Sequence, residues 1–182
     1  MPDTKVASWQ REVERLLEEH LAQGDGDLIA LSDALSQATD HVHVRSELAR
    51  KAEEARASYR RWLVAESELY SAILIGWPPG HHTPVHDHDG LWGIELVLAG
   101  KLHVDEFETT DASVKAVRSI DLECDKAVVF ENATYAHACS NPSASSPALS
   151  LHIYGGALLA YDVFPGADTA TRERKSTSTE PL

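Results

Sequence analysis

The 182-residue sequence is poor in cysteine, with two, and in methionine, with one, and its 16 basic residues are outnumbered by 29 acidic ones. Cys124 and Cys139 stand in separate segments, which excludes a small disulfide-stapled fold and any zinc-finger spacing and leaves two thiols as the expectation. A net charge of -13 argues against nucleic acid or an anionic membrane surface as partner, because the average field repels polyanions. No segment approaches the length of uninterrupted apolar residues that a membrane span needs, and MPDTKVASWQREVERLL lacks a signal-peptide core, so a cytoplasmic location is expected. What is present is ordinary: 43% hydrophobic against 25% charged residues fits one compact domain.

Two periods divide the chain. Val6, Trp9, Val13, Leu16 and Leu17 recur at helical spacing, with Asp3 or Thr4 placed to cap them. GDGD at 24–27 ends that helix and starts another along Leu28, Leu31 and Leu35. A third helix is expected over 46–57, where a charged run leaves only Leu48 and alanines for packing, so it should lie on the outside of something larger. From Tyr59 the pattern changes to short runs rich in branched and aromatic residues, at 69–77, 91–100, 101–109, 113–120, 127–130, 135–140, 148–156 and 159–164. Turn residues separate them and no helical segment intervenes, which predicts a mainly β, antiparallel sandwich or small barrel. Residues 1–164 then form one domain, with 1–58 a helical flank and 59–164 the barrel. The segment 165–182 has almost nothing to bury and is expected to be mobile or draped on the surface.

Of ten histidines, four fall at 81, 82, 86 and 88. In His86-Asp87-His88 two imidazoles lie two residues apart, which in a strand puts both on one face with Asp87 turned away. Imidazole suits iron, nickel, copper or zinc, and a third ligand from a distant strand would leave coordination sites for substrate. Solvated histidines in a loop after Pro84 are the plainer alternative. Ser150, His152 and Tyr154 alternate along one strand, so the serine can bond the histidine and the histidine can fix the phenol; otherwise they are core residues. His81 and His82 read as a solvated turn after Pro78-Pro79-Gly80, and His41 and His43 as surface residues. Cys139 shares strand parity with His137 and fits equally a cavity-lining thiol or a buried apolar one.

Gly80, five intervening residues, His86-x-His88 and then Gly100 resemble the first motif of the cupin superfamily, and His137-x-x-x-Asn141 resembles the histidine-bearing end of the second. The resemblance supplies His137 as third ligand. A cupin glutamate is usual four or five residues after the second histidine, where this chain has Trp92 and Gly93; its glutamate is Glu95. On a regular strand Glu95 shares a face with Gly93 and reaches inward as ligand, substrate contact or proton acceptor, in which case it needs a buried partner. Alternatively it is an outward surface residue, and both readings stand.

The longer set of motifs is similar to the cysteine dioxygenases and their small-thiol relatives. Tyr59-Arg-Arg-Trp-Leu-Val64 resembles the family's substrate-binding strand, Trp77-Pro-Pro-Gly80 and Thr83-Pro-Val-His-Asp-His88 its approach to the first two iron ligands, and Ser150-Leu-His-Ile-Tyr154 its Ser-x-His-x-Tyr array. The likeness runs from Tyr59 to Phe164. It implies a cupin-type antiparallel β-barrel, a small jelly roll, holding Fe(2+) on His86, His88 and His137. It assigns Arg61, with Arg60 on the opposite face, to the substrate carboxylate, and Tyr154, His152 and Ser150 to catalysis. The implied reaction oxidises a small thiol with dioxygen to a sulfinic acid, L-cysteine first among candidates, with no organic cofactor. Gly93 occupies the place of the cysteine that cross-links to the tyrosine in the animal enzymes, so Tyr154 should stay unmodified. Relatives acting on 3-mercaptopropionate commonly carry glutamine where Arg61 stands, and a mercapto-acid substrate is kept as an alternative; Glu95 is a further candidate substrate contact, the one that would meet an ammonium group. A metal-dependent isomerase and a non-catalytic ligand sensor are the competing classes. Oligomeric state, monomer or homodimer, is left open.

Overall fold

A computed structural model of the chain describes residues 8–22, 26–110, 113–166 and 171–182. Three helices lead: α1 (Ser8–Leu21), α2 (Leu28–Thr39) and α3 (Val42–Glu54). Asp27 caps α2, its carboxylate accepting from the backbone N–H groups of Ile29 and Ala30. Val6, the expected caps Asp3 and Thr4, and Gly24 and Asp25 lie outside the described residues. The third helix begins at Val42 rather than at 46, because Val44 extends the buried stripe of Leu48 and Ala52 back by one turn.

Among the described residues twelve strands follow: β1 (Arg60–Glu66), β2 (Ser71–Trp77), β3 (Val85–His86), β4 (Gly93–Ala99), β5 (Lys101–Thr109), β6 (Val114–Glu123), β7 (Ala127–Phe130), β8 (Tyr135–Ser140), β9 (Ala148–Tyr154), β10 (Ala160–Phe164), β11 (Glu173–Ser176) and β12 (Glu180–Pro181). They form two six-stranded sheets, ordered β12-β1-β2-β9-β4-β7 and β11-β10-β3-β8-β5-β6. This is the expected mainly β jelly roll with a helical flank, built as two facing sheets that keep separate hydrogen-bond ladders.

Every residue of β2 and β9 is buried, because the first sheet is covered on both sides. Ala72, Leu74, Ile94, Leu96, Leu149, Leu151 and Ile153 face outward and pack with Trp9, Leu17, Leu31 and Leu48 of the helices. The alternating residues face the second sheet, where Ile73, Ile75 and Val97 meet Leu102, Val104 and Leu122. An amphipathic helix layer thus closes one face of the sheet and frees the other to carry polar groups.

The strands differ from the sequence reading at the short edges. Residues 173–176 pair antiparallel with β10, and residues 180–181 pair parallel with β1. The described part of the tail is therefore laid along an edge of each sheet, with its side chains exposed. An edge strand with both faces in solvent needs no apolar alternation, so its sequence carries no strand signal. Both cysteines are free thiols. Among the described residues no helix is long and apolar enough to cross a membrane.

Candidate metal centre and its cavity

Strand pairing brings distant histidines together. His86 on β3 and His137 on β8 are direct cross-strand partners, and their rings lie 4.7 Å apart between centroids. His88 does not reach them by strand alternation, since β3 ends at His86. A tight turn carries it instead: Asp89 and Gly90 have φ of 57° and 75°, and the Leu91 N–H donates to the His88 carbonyl at 3.1 Å. The His88 ring then stands 5.3 Å from His86 and 4.7 Å from His137. One ligand nitrogen from each of the three lies within 4.8 Å of the others. Asp87 points away, as expected, its carboxylate accepting the Asp162 N–H at 2.8 Å and so tying the loop to β10.

The opposite sheet supplies the polar array. The Trp77 indole N–H donates to Ser150 Oγ at 2.8 Å, and Ser150 Oγ lies 2.7 Å from His152 Nε2. The Glu95 carboxylate, 3.2 Å from His152 Nδ1, favours the ring hydrogen on that nitrogen, and the serine then gives its own proton to Nε2. His152 Nδ1 is 3.1 Å from the Tyr154 hydroxyl, so the phenol accepts from the histidine and keeps its proton to donate into the cavity. Burial pushes the Tyr154 phenol well above its usual range, and it stays protonated.

Glu95 faces inward. It is the cross-strand partner of His152, only 2% exposed, with Oε2 3.3 Å from His137 Nδ1 and Oε1 3.2 Å from His152 Nδ1. Burial would raise its pKa, but the neighbouring His137, His152 and His86 outweigh that and hold it below the usual carboxylate range. It lies behind these histidines rather than on the wall of the cavity, so the expected substrate contact is not among the lining residues. The surface reading of Glu95 falls because the inner face of β4 is covered by the second sheet. Cys139 does line the cavity, with Sγ 3.6 Å from His137 Nδ1, and burial keeps it a thiol well above the usual pKa.

The cavity in front of the histidines measures about 250 Å³, small even for a compact ligand site. Arg61 lines it, and its Nε is buried without a hydrogen-bond partner. Arg60 faces the other way, pairing with Glu180 and lying over the Trp62 ring. His81 and His82 also line the cavity, where the sequence suggested a solvated turn; His81 stacks on Tyr59 at 4.7 Å, which the order of residues did not foreshadow. His41 and His43 are exposed, as expected. Trp77 was legible only as part of a motif, yet its parity with Ile73 and Ile75 already put it on the inner face of β2. A Cβ on Gly93 would stand 2.2 Å from Cζ of Phe130, whose ring stacks on Tyr135 at 4.2 Å. The aromatic fills the space that a side chain at 93 would take.

A family model described as cysteine dioxygenase type I matches residues 8–164. The chain belongs to the cysteine dioxygenase type I family. The match spans the helices as well as the sheets, so the helical flank is part of the family's unit rather than an appendage. Among solved structures, a Bacillus halodurans protein is similar at 16% identity and TM-score 0.50, covering 60% of this chain and 77% of its own. A cupin superfamily protein from Desulfitobacterium hafniense matches at 18% identity and TM-score 0.47, over 60% of this chain and 88% of its own. A Thermus thermophilus protein matches at 26% identity and TM-score 0.45, over 54% and 83%. No curated protein matches the sequence.

For a cysteine dioxygenase family chain the cluster makes chemical sense as a metal-binding site of a cupin-type dioxygenase. His86 Nδ1 sits 2.9 Å from the Pro84 carbonyl, which can only accept, so Nε2 keeps a free lone pair. Tyr135 gives its proton to Glu106 at 3.4 Å, and Glu95 is an anion, so both neighbours of His137 Nδ1 require a hydrogen there and leave its Nε2 free as well. Both nitrogens of His88 are buried without a hydrogen bond, Nε2 having only the Glu95 Oε1 at 3.8 Å, a costly state that a cation relieves. Burial drives His86 below the usual imidazole range, and His88 and His137 well below it. The rings are thus neutral, the form that binds metal.

Proposed function

We propose that the protein is an iron(II)-dependent thiol dioxygenase that converts a small carboxylated thiol, with L-cysteine the first candidate, to its sulfinic acid. The observation that carries the substrate class is Arg61: a guanidinium on the wall of the cavity that holds the three imidazoles, with a buried Nε that no protein group satisfies. A cation in that position is costly unless an anion meets it, and a carboxylate matches its planar fork. Fe(II) held by His86, His88 and His137 would supply a Lewis-acidic centre that lowers the thiol pKa and binds dioxygen. The sulfur loses four electrons and gains both oxygen atoms, so no outside reductant is needed.

The chain's own residues do the positioning. Arg61 anchors the carboxylate, the protonated Tyr154 donates a hydrogen bond to the substrate carboxylate or to the reacting oxygens, and Ser150 and His152 hold that phenol in one orientation. Ile75, Trp77 and Leu158 form apolar walls that keep bulk water from the reacting sulfur. The partners this reading requires are a small thiol and dioxygen, in a reducing cytoplasm that supplies the thiol.

The test is oxygen consumption after anaerobic loading with Fe(II), using L-cysteine, 3-mercaptopropionate and cysteamine. Carboxylated thiols are expected to be oxidised to sulfinates, and cysteamine, which lacks the anion, to lag by at least about tenfold. Cysteamine as the best substrate would remove the carboxylate assignment. No oxygen uptake with any thiol by iron-loaded protein would sink the dioxygenase reading.

A further inference from the structure

We propose that Glu95 is a positioning residue that ties the metal ligand His137 to the Ser150–His152–Tyr154 array, tightening iron binding and lowering the iron's reduction potential. The inference rests on the iron reading above and concerns a residue outside the motifs that suggested it.

The placement is set by register. Glu95 lies directly across from His152 on β9, and two residues along β4 from Gly93, so its side chain is buried between the sheets, outside the set of residues that line the cavity. One oxygen faces His137 Nδ1 at 3.3 Å and the other faces His152 Nδ1 at 3.2 Å. Tyr135, whose own proton goes to Glu106, favours the hydrogen on His137 Nδ1, and the carboxylate itself favours it on His152 Nδ1, with Nε2 left to accept from Ser150. A single carboxylate thus lies in ion-pair range of imidazoles from two different sheets, His137 and His152, with Oε1 otherwise without a hydrogen bond and 3.8 Å from His88 Nε2. A carboxylate behind a metal-bound histidine fixes its tautomer and raises its basicity. A negative charge buried this close also favours the ferric over the ferrous ion, because little solvent screens it.

Glu95, His137 and Cys139 also offer ligand atoms within 4.8 Å of one another, which raises the possibility of a second metal on His137 Nδ1. That ion would have to displace the hydrogen that Tyr135 and Glu95 both demand there. The carboxylate is therefore read as an acceptor, and the experiment separates the two.

Glu95→Gln keeps size but removes the charge, and its amide can accept from only one of the two rings while presenting a donor to the other. Glu95→Asp keeps the charge and shortens the reach. Both variants of the full chain are titrated with Fe(II) anaerobically, their potentials measured without substrate, and the melting of the metal-free proteins recorded. Glu95→Gln should bind Fe(II) about 10- to 100-fold more weakly, with a more positive potential. Glu95→Asp should bind more weakly than the natural protein while its potential stays nearer to it. Affinity and potential both unchanged in Glu95→Gln would overturn the proposal while leaving the iron reading intact. If that variant does not fold, unchanged affinity in Glu95→Asp overturns it equally. A second equivalent of zinc bound by the natural protein and lost in both Glu95→Gln and Cys139→Ala would show Glu95 to be a ligand and also overturn it. Failure of the natural protein to bind iron would instead remove the reading on which the proposal stands.

Discussion

The two faces of β9 share one backbone and one degree of burial, yet they are chemically opposite. Leu149, Leu151 and Ile153 are 0% exposed and pack under the helices; Ser150, His152 and Tyr154 are 0%, 2% and 3% exposed and face the metal cluster. On the helix side, contacts are dispersive and shared among many neighbours, so volume matters more than identity. On the cavity side each polar atom has a named partner, and an exchange leaves that partner buried and unsatisfied. Burial therefore does not distinguish structural from functional residues in this sheet. The number of alternative partners does.

The comparison can be broken most severely at His88. Replacing it with alanine should abolish iron binding and all thiol oxidation, because it removes one of the three proposed ligands, while the metal-free protein stays folded, having lost two nitrogens that made no hydrogen bond. Elemental analysis and circular dichroism check the two halves of that statement, and retention of a full iron equivalent would remove His88 from the ligand set. Leu151→Ala should act in the opposite way. It should destabilise the protein by about 2–5 kcal/mol in denaturant unfolding, with iron stoichiometry per folded chain unchanged. Loss of iron without loss of stability would erase the distinction between the faces. A finer test uses the parity of β1. Arg61→Ala should lower kcat/KM for the preferred thiol by at least about tenfold, or roughly 1.4 kcal/mol. Arg60→Ala, on the outer face with an exposed ion pair to Glu180, should change it far less. An equal effect from both would mean that the strand's two faces are not separated in function.

Much of this was legible because alternation is a local property. The eight strand segments read from 69 to 164 all reappear, and Ser150, His152 and Tyr154 share a face as their spacing required. His86 and His88 converge as well, though for a different reason: a turn with two positive-φ residues does what a regular strand was expected to do. Contacts between distant segments were less legible. The direction of Glu95 depends on which face of β4 the second sheet covers, and nothing in WGIELVLAG states that. The cavity role of His81 depends on the ring of Tyr59, many residues away in sequence. The edge strands of the tail depend on backbone groups of β1 and β10 that no side-chain pattern advertises.

The seating of Phe130 against Gly93 bears on the order in which this site can change through descent. A Cβ at 93 would stand 2.2 Å from the tip of that ring, so a substitution there has to displace Phe130 before any chemistry can be selected. The ring must turn aside or shrink. That step opens a void between His88 and Tyr135, which it now contacts at 4.7 and 4.2 Å, and so costs stability before it brings any benefit. The glycine at 93 is in this sense conditional on a second position, and the two residues form an epistatic pair in which neither moves alone without loss.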